Sequence, residues 1–309
     1  TVTPRVALLG AAPYTVMVNH SGSGYSRYGE LAVTRWSADS TSDDSGQFFF
    51  LKDMESGKSW SATRQPLGPL PDRSRAILAD DRVTWVRSEG DIETTTTVSV
   101  VPGDAAEVRC VTITNSGRTA REIEITSYAE VVMAPAKADR AHPAFSKLFV
   151  ETEWHAWCNA ITATRRPRTP TDPQLWCVHV VNAGPDRVGF VSCETDRARF
   201  IGRGRSVHAP FALETDGPLS GTTGPVLDPI LSLRTRVHVR PGHSVRVAFT
   251  TLVATSRDAA FALADRYHDP HTAQRAFDIA WSAAQIEQRE PDFTSANAAL
   301  FQDLATQVL

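Results

Sequence analysis

Between Arg5 and Thr255 the apolar residues fall in short runs of period two, rich in Val, Thr and aromatics and separated by clusters of Gly, Pro, Asn, Asp and Ser. Such alternation makes one face of a strand apolar and the other polar, so the pattern predicts a mainly β fold, an all-β sandwich. The runs Glu107 to Thr114 and Arg121 to Val131 read as a hairpin closed by Asn115-Ser116-Gly117. In the second run Ile123, Ile125, Ala129 and Val131 share a face expected to be buried, while Glu122, Glu124, Thr126 and Glu130 share one expected to be wet. A second hairpin is expected where Leu233, Thr235, Val237 and Val239 alternate with Arg234, Arg236, His238 and Arg240, turn at Pro241-Gly242, and return through Val245, Val247 and Phe249. Its cationic row reads as a solvated face that opposes edge aggregation; an anion or partner-contact surface is the alternative. Thr94 to Val101 and Trp176 to Val181 predict further strands.

The period changes after about Ser256. Asp258 to His268 is Ala-rich and helical, and Thr272 opens a longer helix whose apolar face is expected to carry Phe277, Ala280, Trp281 and Ala284. Pro291 breaks it, and Leu300, Phe301, Leu304 and Val308 form a last helical stripe. The chain starts Thr1-Val2-Thr3-Pro4 and ends at Leu309 within that stripe, so it reads as a piece of a longer protein whose last stripe needs a partner surface. The alternative is a terminal helix docked on its own domain.

Composition narrows the classes. At 309 residues there is ample chain for a sizeable core, and 41% apolar and 22% charged residues with a net charge of -3 describe an ordinary globular protein. No cationic excess points to nucleic acid, which is excluded as a partner, and no run of about 18 apolar residues is present to span a bilayer. Cys110, Cys158, Cys177 and Cys193 form no CxxC pair and are read as reduced core thiols, with one disulfide as the alternative. No cofactor or metal is implied, and no GxxxxGK[ST] phosphate loop occurs.

Three clusters carry candidate chemistry. Ser21-Gly22-Ser23-Gly24-Tyr25-Ser26-Arg27, with Arg35, Trp36, Asp43 and Asp44 after it, suits a sugar whose C–H faces stack on rings while its hydroxyls pair with Arg and Asp; core packing of Tyr25 and Trp36 is the alternative. The connection Met133 to Phe149 offers Arg140, His142 and Lys147, with Asp139 and His142 as an imaginable acid and base but no nucleophile elbow. Glu194 to Arg205 reads mostly as architecture, its arginines neutralised by Glu194 and Asp196.

Ordered strings along residues 4 to 290 carry a family resemblance. They are Gly24-Tyr25-Ser26-Arg27, Ala32-Val33-Thr34-Arg35-Trp36, Phe50-Leu51-Lys52-Asp53, Thr126-Ser127-Tyr128-Ala129-Glu130, His142 to Phe149, Glu194-Thr195-Asp196-Arg197 and Leu227-Asp228-Pro229. The chain resembles the family of cellobiose and chitobiose phosphorylases and cyclic β-1,2-glucan synthases, the glucan synthases most of all. The resemblance implies a galactose-mutarotase-like β-supersandwich over residues 1–255 and linker helices over residues 256–309, leading to an (α/α)6 barrel that carries the catalytic acid. It implies a non-catalytic carbohydrate-binding or supporting domain of a glycosyltransferase or glycoside phosphorylase. The partners would be a β-glucan chain, the barrel of the same parent chain and a second copy in a homo-oligomer. The contact candidates would be Arg35, Trp36, Arg140, His142 and Lys147. It further implies a parent at the inner membrane with this domain on the cytoplasmic side. Two rival readings stand beside it: a purely structural or oligomerisation module, and a mutarotase-like epimerase using residues such as His142, His179 and Glu130.

Overall fold

The computed structural model describes residues 5–10, 12–37, 43–68, 71–167, 169, 172, 174–287, 297, 300–301 and 304–306. Two antiparallel sheets lie face to face around one shared core. The first sheet opens with a meander of β1 (Val6–Leu9), β2 (Tyr14–Asn19), β3 (Gly24–Tyr28) and β4 (Leu31–Thr34), followed by β5 (Gln47–Asp53) and β6 (Ser59–Ser61). The chain then crosses to the second sheet for β7 (Arg73–Leu78), β8 (Val83–Glu89), β9 (Ile92–Val101) and β10 (Ala106–Asn115). It returns as the long strand β11 (Arg121–Pro135), passes through the short helices α1 (Ala136–Ala141) and α2 (Pro143–Lys147), and adds β12 (Val150–His155), β13 (Ala160–Arg165) and β14 (Trp176–Asn182) to the second sheet. After β15 (Arg187–Asp196) and α3 (Arg197–Ile201), β16 (Pro229–Val239) joins the first sheet and β17 (Ser244–Ala254) the second. Helices α4 (Arg257–His268) and α5 (Pro270–Glu287) follow. The first sheet runs β1-β2-β3-β4-β11-β16-β15, with β5 beside β11 and β6 beside β5; the second runs β12-β13-β14-β17-β10-β9-β8-β7.

Both expected hairpins are arches that cross between the sheets. β10 pairs with β9 and β17, whereas β11 pairs with β16, β5 and β4. β16 and β17 likewise lie in opposite sheets. The physical reason is that alternation determines which face is apolar but not which edge a strand pairs. Val111, Ile113, Ile123, Ile125, Val237 and Val247 turn inward to the same core whether the link is a hairpin or an arch. Asn115 supports the arch: its Oδ1 accepts from Gly117 N at 2.9 Å and its Nδ2 donates to Thr119 O at 2.8 Å and Val239 O at 3.0 Å. Backbone bonds from Gly242 N to Asn115 O and from Asn115 N to His243 O clip the two arches together.

The expected wet face of β11 is covered at Glu124 and Thr126, and Arg234 and Arg236 of the cationic row opposite are neutralised, while His238 and Arg240 are exposed. Register sets Glu124 against Arg236 and Thr126 against Arg234. Glu124 is 1% exposed, and its carboxylate takes Arg234 Nε at 3.2 Å and Arg236 Nε at 2.8 Å. Arg234 also donates to Thr126 Oγ1, Gly217 O and Ala212 O. A separate cluster of Phe48, Phe50, Tyr128, Phe200, Leu213 and Ile230 packs the segment after α3 onto this face. The outer face of the second sheet is covered by α4 and α5, where Ala260, Ala264, Tyr267, Ala276 and Phe277 form another cluster. The small Ala side chains let both helices lie close to the sheet. Phe277 and Ala280 face it as expected, but Trp281 points to solvent, 54% exposed.

Pro291 and Val308 lie outside the described residues. Ala305 packs against Val6, Met17 and Tyr25, and Val6 N donates to Thr306 Oγ1 at 3.2 Å, so the last helical residues do reach their own domain. Leu300, Phe301 and Leu304 remain exposed. All four cysteines are free.

Candidate functional site

Charged side chains from six separated segments meet on the outer side of β11. Arg35, just after β4, donates from Nε and Nη2 to both oxygens of Asp139 on α1, each at 2.9 Å, and from Nη1 to Glu130 Oε2 on β11 at 2.6 Å. Glu130 Oε1 accepts from Arg197 Nε on α3 at 2.9 Å and from the Tyr128 hydroxyl at 3.0 Å. Asp228, at the entry to β16, lies 2.7 Å from Lys147 Nζ on α2 and 3.9 Å from both Arg35 and Arg197. Backbone bonds hold the segments in place: Arg35 N donates to Glu130 O and Arg197 N to Asp228 O, both at 2.9 Å.

Local backbone explains why the parts converge. The pairing of β11 with β4 slips between Val131 and Ala134, where Met133 adopts a φ of +55°. A bulge of this kind bends a strand, and this one turns the chain over into α1, which brings Asp139 back to Arg35. The side chain of Asp196 caps α3 by accepting from Ala198 N at 2.9 Å, which starts that helix with Arg197 facing Glu130.

Three cations and three anions balance here, and for Glu130, Arg35 and Arg197 the neighbouring charges favour the charged form. Burial pushes the Glu130 carboxyl up, but Arg197 and Arg35 outweigh it and hold the group below the usual carboxylate range. Burial opposes the charge of Arg35, yet Asp139 and Glu130 raise its pKa above the ordinary arginine value. The Tyr128 phenol is raised well above its usual value by burial and then by Glu130. Glu130 is therefore unsuited to donate a proton at neutral pH, and Tyr128 to lose one. The arrangement is a rigid polar clamp with a partly exposed rim: the Arg197, Asp228 and Glu130 side chains are 34%, 23% and 21% exposed.

Of the candidate contact residues, the structure brings Arg35 and Lys147 into this cluster. Trp36 points to the opposite side, where it meets Tyr25 edge-on with ring centroids 5.4 Å apart and joins the Val6–Met17 cluster. Arg140 on α1 and His142 between α1 and α2 are exposed, and Asp139 is committed to Arg35 through both oxygens rather than to His142. Glu130, Asp139, Arg197 and Asp228 were not among the contact candidates: Glu130 and Asp139 entered only as imagined catalytic groups, Arg197 as architecture and Asp228 only within a family-like string. All but Asp139 stand in one of the family-like strings, and that was the available signal.

The glycine-rich turn owes its glycines to the packing of this chain. A Cβ on Gly22 would lie 2.2 Å from Thr63 Oγ1, and one on Gly24 would lie 1.9 Å from Met17 O, so the close approach is between parts of this chain. Asn19 Oδ1 accepts from Ser21 N and Ser23 N within the turn. His179 is sealed between the sheets, with Nε2 2.9 Å from Ser127 Oγ, Nδ1 2.9 Å from Thr251 Oγ1, and its ring stacked on Phe249. Burial and then Arg109 push its pKa down to about 3. It is neutral and out of reach of solvent. Among the described residues no group of three His, Cys, Asp or Glu is placed to hold a metal ion, and no helix is long and apolar enough to cross a membrane.

Comparison with known proteins adds the following. Residues 1–270 match the family described as glycosyl hydrolase 94, supersandwich domain. The chain is 39% identical over 302 residues to the cyclic beta-(1,2)-glucan synthase NdvB of Rhizobium meliloti, a match covering 97% of this chain and 11% of that protein. It is 23% identical over 280 residues to an N,N'-diacetylchitobiose phosphorylase of Vibrio proteolyticus, covering 89% of this chain and 34% of that protein. A bacterial glucoamylase solved with acarbose superposes with a TM-score of 0.50 at 8% identity, over 90% of this chain and 36% of that one, a likeness of fold. The chain thus spans about a tenth and a third of the lengths of the two curated relatives.

Proposed function

This chain belongs to the glycosyl hydrolase 94 supersandwich family, and from that membership we propose that it is a non-catalytic, carbohydrate-associated domain of a cyclic β-1,2-glucan synthase or a related glycoside phosphorylase. In this reading it packs beside an (α/α)6 barrel of the same parent chain and helps hold a β-glucan at that barrel. The parent sits at the inner membrane with this domain on the cytoplasmic side. The observation that carries the non-catalytic part is the pairing of the charged cluster. Glu130, Asp139 and Asp228 each face a cation, Glu130 is held ionised, and His179 is sealed in the core, so none of these groups is poised to shuttle a proton. The same facts argue against a mutarotase-like epimerase.

Isothermal titration of the chain with linear and cyclic β-1,2-glucans, with cello-oligosaccharides as the competing linkage, tests the reading. Saturable binding that prefers the β-1,2 linkage is expected, with no acceleration of glucose mutarotation in a polarimeter. Silence with every sugar at millimolar concentration overturns direct contact.

A second reading, a structural or assembly module that binds no sugar, is favoured by one observation. Ile279 and Ile286, seven residues apart on α5, present an apolar strip 49% and 67% exposed. Sedimentation of the chain and of an Ile279→Lys, Ile286→Lys double variant checks it: a change in association state supports an assembly surface.

A further inference from the structure

A second surface has the composition that the charged cluster lacks. β12 is the edge strand of the second sheet, and the turn after it carries Trp157. Helix α4 packs on β14 and β17, and the Arg257 and Phe261 side chains of its first turns reach that edge. The Phe261 ring stands 6.1 Å from the Trp157 ring and meets His155 edge-on at 4.8 Å. The Arg257 guanidinium lies 4.7 Å over Phe261 and 6.0 Å over Trp176, and reaches Glu153 at 3.5 Å. His155 is fixed from below by Thr162 Oγ1 at 3.0 Å.

We propose that Trp157, backed by the half-buried Phe261 and with Arg257 and Glu153 at its margin, forms a platform that stacks on the pyranose faces of a neutral glucan chain. The proposal rests on the carbohydrate-associated reading above and assigns its contact to a new place. Trp157 is 57% exposed, so its indole serves the core little, and a large ring left at the surface beside a second ring is a surface of binding type. Sugar rings offer C–H faces that match aromatic faces, while their equatorial hydroxyls donate and accept at the edge. The Arg257–Glu153 pair supplies both kinds of edge group. It has no net charge, and its side chains are 54% and 55% exposed, so it keeps free hydrogen-bonding capacity for diols. A phosphorylated or acidic saccharide would meet no surplus cation here. His155 and Arg257 hold the Phe261 ring, and Trp157 stands against that ring, before any ligand arrives, which lowers the ordering cost of binding.

The test is titration of the unaltered chain and three variants with linear β-1,2-gluco-oligosaccharides, read by calorimetry and by quenching of indole fluorescence. Trp157→Ala is expected to weaken binding by about tenfold or more. Trp157→Phe, which keeps a ring, is expected to retain affinity within about threefold. Phe190→Ala, an exposed ring elsewhere, is expected to bind like the unaltered chain. Unfolding midpoints of all four proteins confirm that each is folded. If the unaltered chain binds and Trp157→Ala binds equally well, the platform is overturned while the carbohydrate reading stands. The platform is also overturned if Phe190→Ala weakens binding as much as Trp157→Ala does. If the unaltered chain binds no saccharide, the platform and direct sugar contact fall together.

Discussion

Arg35 shows how one side chain ties distant parts of this fold. It satisfies two carboxylates on different elements, one of them, Asp139, only 7% exposed. Removing one partner of a buried ion pair leaves a charge unpaired, so Arg35→Ala is expected to lower unfolding stability by about 3 kcal/mol, whereas the exposed Arg140→Ala should stay within about 0.5 kcal/mol. Urea unfolding of both variants measures the difference. His179 yields a pH prediction. An unfolded histidine titrates near about 6.5, and the folded one near about 3. Above pH 6.5 neither state takes the proton; below it the unfolded chain does and the native chain does not, so stability falls by about 1.4 kcal/mol per pH unit as pH drops. His179→Gln should flatten the urea midpoint between about pH 6.5 and 4.5, the stretch before Glu130 starts to lose its charge-dependent stabilisation. The convergence of these groups was only half legible. Arg35, Glu130, Lys147, Arg197 and Asp228 each stood in a family-like string, but no pattern along a chain states which strings meet across a sheet. Trp36 misled because it follows Arg35, and consecutive residues of an extended chain point to opposite sides.

Strands and helices were readable from periodicity, and their partners were not. Ile123 and Ile125 announced an inward face correctly, yet the wetness expected of Glu124 failed because the segment covering it follows α3, about 80 residues later, with no alternation of its own to mark it. The arches failed for a similar reason, since a turn of Asn-Ser-Gly closes a hairpin or an arch with the same residues. What distinguishes them here is the Asn115 side chain, which bonds across to the neighbouring arch. Asn115→Ala removes those bonds from a buried site and is expected to cost about 2 kcal/mol. Hydrogen exchange should speed up first at the arch amides of Gly117, Gly242 and His243; unchanged exchange there would mean that backbone bonds alone hold the arches.

For the molecule as a whole, burial of three thiols in the sandwich predicts their chemistry. Burial, with Glu107, Glu194 and Asp265 as respective acidic neighbours, pushes Cys177 and Cys193 up to about 12 and Cys158 up to about 11. At neutral pH these thiols should resist a disulfide-exchange reagent until the protein opens, and all four cysteines should react in denaturant; fewer than four would reveal a disulfide. The placement of β16 and β17 bears on how the chain is made. Each sits inside a sheet, β16 between β11 and β15 and β17 between β14 and β10, and they follow one another across a single arch. A chain emerging from the ribosome can assemble its early meanders, but neither sheet closes until residues 229–254 arrive together. Until then β10, β11, β14 and β15 carry bare edges that invite pairing between molecules, and the long-range contacts that remove them are slow to form. The two strands that complete the sandwich thus act as keystones, and the period of greatest risk to this fold is the interval before they are set.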